Sequence, residues 1–391
     1  MPYLRLFYKS ITKFCDLVNV SEKIDIANFK PLPMSIFYFT NYDLQPANVT
    51  DDEGQFAVTF PNTVWEHLAN DRSSIFMFEN SHETLSIPYL LLQLKYLTSK
   101  LNIKQEQIYV ILPDELHTSR LKEMLAESGM NYINFDFYNP FLYSISLSAI
   151  NSEFSYCAER IKMLNFSLLS RKYTDNRLLL FIELVNEGLI NKCSYTFHNI
   201  FPYGTNEEVL ASAKSLAYME SIIPVNCNDN IKLIKDWLKG IPYSIESGEL
   251  PQNIGKDALN LLIEKSDVHI VVETFYDWNA GQTWITEKTY RAMSCKKPLI
   301  FYSTPFALKD LQKLGFKTYS PYINETYDLI ADPALRRKAI VNEMKRISKF
   351  SEVEAQQFIK QCNVISEYNA NILAKKYSIR LEKFKHTGIF K

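Results

Sequence analysis

Thr286-Glu287-Lys288 stand where a loop gives way to a helix, inside the run TWITEKTYRAMSCKKPLIFY (283–302). A helix N-terminus presents unpaired backbone N–H groups and the positive end of the peptide dipole, so it is a natural seat for phosphate. A lysine and a carboxylate at such a seat point to a bound nucleotide, with Lys288 for the phosphates and Glu287 for the ribose hydroxyls. Thr286 is of the type that caps a helix start. Glu287 and Lys288 also read as ordinary first-turn charges, because acids are favoured there. A second cation falls upstream. The run FSLLSR (166–171) reads as a strand ending at Ser170-Arg171, and Arg177 follows in the next helix. A guanidinium suits a diphosphate, since its planar fork donates two parallel charged hydrogen bonds. The same arginine could instead pair with Asp175 or Glu183 along its helix.

The elements that must position these residues follow from apolar periodicity. SIFYFTNYDL, SIFMFEN (74–80), IYVILPDE (108–115) and YINFDFY (132–138) read as strands, with helices over about 84–101 and 117–128 between them. A second series begins at 166 and continues with a helix over 175–187 and the strand CSYTFHN (193–199). Helical segments at 206–219 and 228–239 come next, then the strand DVHIVVETFYD (267–277). A helix at 286–295, the strand PLIFYS (298–303), a helix at 305–314 and a last short strand, FKTYSPY (316–322), complete it. Strand–helix alternation predicts α/β architecture with parallel, doubly wound sheets, and in such sheets ligands sit at the carboxyl ends of the strands. The strand ending at Glu273 and the loop holding Trp278, Asn279, Gly281, Gln282 and Trp284 lead straight into Thr286.

Bulk properties exclude several classes. The chain has 391 residues, enough for about two domains of ~150 residues each. Ten glycines, with neither GxGxxG nor GxxxxGK[ST], argue against a glycine-rich phosphate loop. A net charge of −1 gives no global case for nucleic acid. Six scattered cysteines without a CxxC pair predict reduced core thiols and no zinc site. No apolar run resembles a signal peptide or a membrane span, so a cytoplasmic location is expected.

The segment Val271-Val272-Glu273 … Thr286-Glu287-Lys288-Thr289-Tyr290-Arg291-Ala292-Met293 … Pro298-Leu299-Ile300 resembles the donor-site motif of α1,3-fucosyltransferase-like enzymes. That motif runs from a strand ending in F-E-N through a short loop to (V/T)-T-E-K, an apolar helix and a small-residue turn into P-(V/I). LLSRKYTDNRLLLFIEL (168–184) is similar to the family's V-S-N-x(n)-R…L segment. The resemblance covers about 160–320. It implies a GT-B-like α/β fold: two Rossmann-like doubly wound domains facing a cleft, with C-terminal helices. It also implies a nucleotide-diphosphate sugar as donor substrate and no metal or other cofactor. Carried over residue by residue, Arg177 and Lys288 bind the diphosphate, Glu287 holds the ribose and Glu273 lies near the donor; by their positions at a helix start and a strand end, Thr286 and Arg171 are further candidates for the same site. Departures are visible. Cys295-Lys296-Lys297 replace the small turn residues, Thr274 stands in place of the asparagine, and the loop before T-E-K is longer. The sugar and the base are therefore open.

An inverting transferase needs a group to take the acceptor proton, and in GT-B enzymes it usually comes from the first domain. Phe78-Glu79-Asn80-Ser81-His82-Glu83 follows a strand, and Glu79, His82 and Glu83 are each chemically competent; Asp114-Glu115 is a weaker candidate. The expected organisation is an N-terminal helical extension (1–33), an acceptor-side domain (34–150), a nucleotide-sugar-binding domain (151–330) and C-terminal helices (331–391) packing back across the domains. The segment 374–391 is basic with interleaved aromatics, which suits an anionic surface contact or a solvated helix end. Together these readings predict an inverting glycosyltransferase whose acceptor is a surface glycan or a hydroxymethylated DNA base. The alternative is a non-catalytic nucleotide- or sugar-binding protein on the same scaffold.

Overall fold

The computed structural model describes residues 36–40, 69–70, 75–79, 87–99, 102–112, 115–137, 163–172, 174–200, 222–239, 260, 262–273, 276 and 285–386. The chain divides into two compact units, Met1–Ser144 and Ile145–Lys391. The N-terminal helical extension expected over 1–33 and the helix expected over 206–219 lie outside the described residues.

In the first unit, β1 (Ile36–Thr40), β2 (Ile75–Glu79), β3 (Ile108–Leu112) and β4 (Asn134–Phe137) pair in parallel in the order β1-β2-β3-β4. Helix α1 (Ile87–Ser99) carries the chain from β2 to β3, and α2 (Glu115–Glu127) carries it from β3 to β4. Right-handed crossovers that step in one direction put both helices on one face, where they pack together. The core follows two periods. Leu90, Leu94 and Leu97 recur at helical spacing, while Ile108, Val110 and Leu112 recur every second residue of β3. Leu121 and Leu125 of α2 close the cluster.

The second unit holds β5 (Phe166–Lys172), β6 (Cys193–Ile200), β7 (Val268–Val272) and β8 (Leu299–Tyr302), all parallel, in the order β6-β5-β7-β8. Every residue of β7 and β8 is buried, as expected of strands covered on both faces. Helix α3 (Asp175–Asn186) joins β5 to β6, and α5 (Glu287–Ser294) joins β7 to β8. These crossovers step outward in opposite directions from the β5–β7 pair, so right-handedness sends α3 and α5 to opposite faces. Helix α3 ends where Gly188 takes φ 67°, and the N–H of Leu189 returns to the carbonyl of Leu184 at 2.8 Å. The turn from α5 into β8 uses Lys296 at φ 53°, a left-handed conformation in which glycine, lacking Cβ, would be less strained.

The remaining helices are α4 (Ile231–Lys239), α6 (Ala307–Lys313), α7 (Pro333–Ile347) and α8 (Glu352–His386). Helix α7 packs on α3 and β8, and α8 packs on α5. The segment expected to be helical over 228–239 opens as a tight 3-10 turn, Val225–Asn230, before α4 begins.

The strand expected at 316–322 is absent: these residues form no ladder. Their polar groups are taken up by side chains instead. The N–H of Lys317 donates to Asn369 Oδ1 and its carbonyl accepts from Asn369 Nδ2, both at 2.8 Å. The N–H of Tyr319 donates to Glu325 at 2.7 Å, and its hydroxyl donates to the carbonyl of Lys297 at 3.0 Å. Pro321 has no N–H to offer a ladder. Apolar alternation here reflects packing under α8 rather than sheet pairing.

Candidate nucleotide site at the strand switch point

The order β6-β5-β7-β8 places a topological switch point between β5 and β7. Chain leaving the carboxyl end of β5 enters α3 on one face, and chain leaving β7 enters α5 on the other. In open α/β sheets ligands bind in this crevice, at the carboxyl ends of the strands. Both helix starts are capped by threonine. Thr174 Oγ1 accepts from the N–H of Arg177 at 3.3 Å, and Thr286 Oγ1 accepts from the N–H of Lys288 at 3.4 Å. Thr286 is thus the N-cap that its position suggests, and Thr174 caps α3 in the same way.

Glu273, the first residue past β7, organises the seat. Its side chain is fully buried. One carboxylate oxygen accepts from the N–H of Thr286 (2.9 Å) and from Thr289 Oγ1 (2.7 Å), and the other accepts from Thr286 Oγ1 (2.6 Å). The carboxylate thereby bridges the strand end and the first turn of α5, a role that sequence spacing did not reveal. Thr289 was missed; it shares a helix face with Thr286 by its i, i+3 spacing.

Lys288 sits at the rim, with its side chain 27% exposed. Its Nζ lies 3.1 Å from Thr286 Oγ1, 3.2 Å from Glu287 Oε1 and 3.9 Å from Glu273 Oε2. Burial pushes the Glu287 carboxyl up, but Lys288 and local hydrogen bonds outweigh it and hold the group below the usual carboxylate range. Arg177 is buried beneath, 4% exposed, and its Nη2 donates to the main-chain carbonyl of Glu273 at 3.3 Å. Burial lowers its pKa, opposed by the charges of Glu273 and Glu287 and by Tyr302; a guanidinium stays protonated regardless. Arg177 is not an exposed helix residue. Glu183, further along the same helix, pairs instead with Arg337 at 2.6 Å. Lys288, Glu287, Thr286, Glu273 and Arg177 therefore converge on one end of one sheet.

Other expected site residues fall elsewhere. Arg171 lies in β5, and its side chain is outside the described residues, as is that of Glu79 at the end of β2. His82 and Glu83 lie outside the described residues altogether, as do Asp114, Trp278 and Trp284. No group of His, Cys, Asp and Glu among the described residues could hold a metal ion. No helix among them is long and apolar enough to cross a membrane.

No protein-family model matches the chain, and no curated protein matches it. Solved structures that resemble it include a UDP-forming α,α-trehalose-phosphate synthase from Burkholderia xenovorans (TM-score 0.41, 10% identity, 80% of this chain and 69% of that one). A trehalose-6-phosphate synthase gives 0.40 at 14% identity over 79% and 67%. A third, the UDP-forming enzyme from Burkholderia vietnamiensis, gives 0.39 at 11% identity over 81% and 67%.

Proposed function

We propose that the chain is an inverting glycosyltransferase that moves a sugar from a nucleotide-diphosphate sugar to an acceptor hydroxyl. One observation carries this reading. Two capped helix N-termini, a rim lysine (Lys288) and a buried arginine (Arg177) meet at the switch point of the second sheet. An anionic ligand with a ribose attached matches that set of groups, and the T-E-K resemblance points the same way.

As the bond from sugar to diphosphate breaks, negative charge grows on the leaving phosphates. Lys288 and the first-turn N–H groups of α5 are placed to offset it, and stabilisation of developing charge in a partly desolvated site is usually the largest catalytic term. Arg177 contributes positive potential from below while holding the chain at Glu273. Glu287 meets the ribose hydroxyls. Glu79, His82 or Glu83 takes the acceptor proton, with no metal involved. The acceptor is a surface glycan or a hydroxymethylated DNA base, and the basic segment 374–391 contacts an anionic surface.

A thermal-shift screen of nucleotide sugars tests the proposal. At least one donor is expected to raise the melting temperature of the wild type and to lose that effect in Lys288→Ala. Absence of any shift across UDP-, GDP-, ADP- and dTDP-sugars would sink the donor site. A shift without turnover on any acceptor favours the non-catalytic binding protein.

A further inference from the structure

We infer that Arg336, on α7, is a positioning residue for the nucleotide seat; the inference rests on the reading of that seat given above. Arg336 is 1% exposed. Its guanidinium donates to the carbonyls of Ile330 (2.7 Å) and Ala331 (3.1 Å), and across to the carbonyl of Tyr276. It also lies 4.2 Å from the centre of the Tyr276 ring. Burying a charge is costly unless it is paired and hydrogen-bonded, and here the partners are main-chain carbonyls and an aromatic face rather than a carboxylate.

The carbonyls and rings it touches lead to the site. Tyr276 follows Glu273 closely in sequence, and its hydroxyl donates to the carbonyl of Pro333 at 2.9 Å. Its ring stacks on Tyr302 at 3.9 Å and 13°. Tyr302, the last residue of β8, donates its hydroxyl to the carbonyl of Asn176 at 2.6 Å. Asn176 immediately precedes Arg177 in the first turn of α3. One contiguous set of contacts therefore runs from α7, through the chain just past β7, to the start of α3. Arg336 thus holds the chain just past β7 directly and reaches the start of α3 through the stacked Tyr276 and Tyr302 rings. Lysine cannot reproduce this arrangement, because it lacks the planar fork that serves several carbonyls while lying on a ring.

The test compares the wild type with Arg336→Lys, Tyr276→Phe, Tyr302→Phe and a control, Ser167→Ala. Ser167 is also buried and bonded, to Ser266 Oγ and His269 Nδ1 at 2.7 Å each, but it lies toward the amino end of β5, away from the seat. Calorimetry with UDP, GDP, ADP and dTDP gives affinity, melting gives stability, and hydrogen exchange reports the amides of 174–178 and 285–289. Arg336→Lys is expected to weaken nucleotide binding about tenfold, as loss of a charge-assisted hydrogen bond implies, and to speed exchange at both helix starts. The two Tyr→Phe variants should move the same readouts by less, whereas Ser167→Ala lowers the melting temperature and leaves affinity unchanged. The inference is overturned if affinity falls only in proportion to lost stability, control included, or if exchange at the helix starts is unaltered. If Arg336→Lys does not fold, the Tyr→Phe pair decides by the same criteria. If the wild type binds no nucleotide, the seat reading falls, and exchange at the helix starts still decides whether Arg336 positions them.

Discussion

Lys288 and Glu273 touch each other and yet should respond to substitution in opposite ways. Lys288 is partly exposed and its ion pairs are screened, so Lys288→Ala should cost less than ~1 kcal/mol of stability. The same change should weaken nucleoside-diphosphate binding on the order of tenfold, by loss of a charged phosphate contact. Titration calorimetry beside urea denaturation checks both halves. Glu273 is fully buried and satisfies two hydroxyls and one N–H. Glu273→Ala leaves those donors without partners and should cost about 2–4 kcal/mol, with Glu273→Gln costing less because one oxygen remains. Equal and small losses for both variants in denaturant would contradict the bridging role. The helix start at Thr286 was legible from residue types alone. The bridge from Glu273 was not, because residues 273 and 286 are brought together by a loop whose course local periodicity does not encode.

At the scale of elements, the apolar strands and the helices between them announce themselves through period, and β5, β7 and β8 lie close to their expected places. The segment 316–322 shows where this reading stops: alternation is common to a strand and to an extended stretch packed under a helix, and only its partners decide. Its partner Glu325 supplies a pH test. Burial raises the Glu325 carboxyl from 4.5 to about 7, against hydrogen bonds from Thr318 and Tyr319 that lower it. Asp328, whose carboxylate accepts from the N–H of Leu308 at the start of α6, is likewise raised by burial, from 3.8 to about 6. A folded-state pKa above the unfolded value means that the folded state binds the extra proton. The stabilisation is complete below pH 4.5 for Glu325 and is lost as pH rises through about 7. His269 acts in the opposite sense. Burial lowers it from 6.5 to about 3, so its contribution is lost as pH falls below 6.5. The two carboxyls together outweigh His269, so stability should decline as pH rises from about 4.5 to about 7 and level off above it. Glu325→Gln should flatten that decline by on the order of 1 kcal/mol between pH 5.5 and 8. Melting temperatures across that range for both proteins decide it, and unchanged slopes count against it.

For the whole molecule, the proposed reaction divides its labour between the two units. Variants Glu79→Ala, His82→Ala and Glu83→Ala should leave donor binding within about twofold, while the one that removes the base should lower turnover by roughly 100-fold or more. Donor-induced thermal shifts measured beside product formation check this, and full turnover in all three would remove the base from that segment. Sequence by itself determined the α/β class, the strand–helix alternation and the phosphate-friendly start of α5, because each depends on residues near one another in the chain. Tertiary structure alone decided the strand order that makes β5 and β7 neighbours, the burial of Arg177 beneath Glu273 and the hold of Arg336 on Tyr276. Those depend on contacts between residues 60 to 102 positions apart, where packing selects the partner and local propensity is silent.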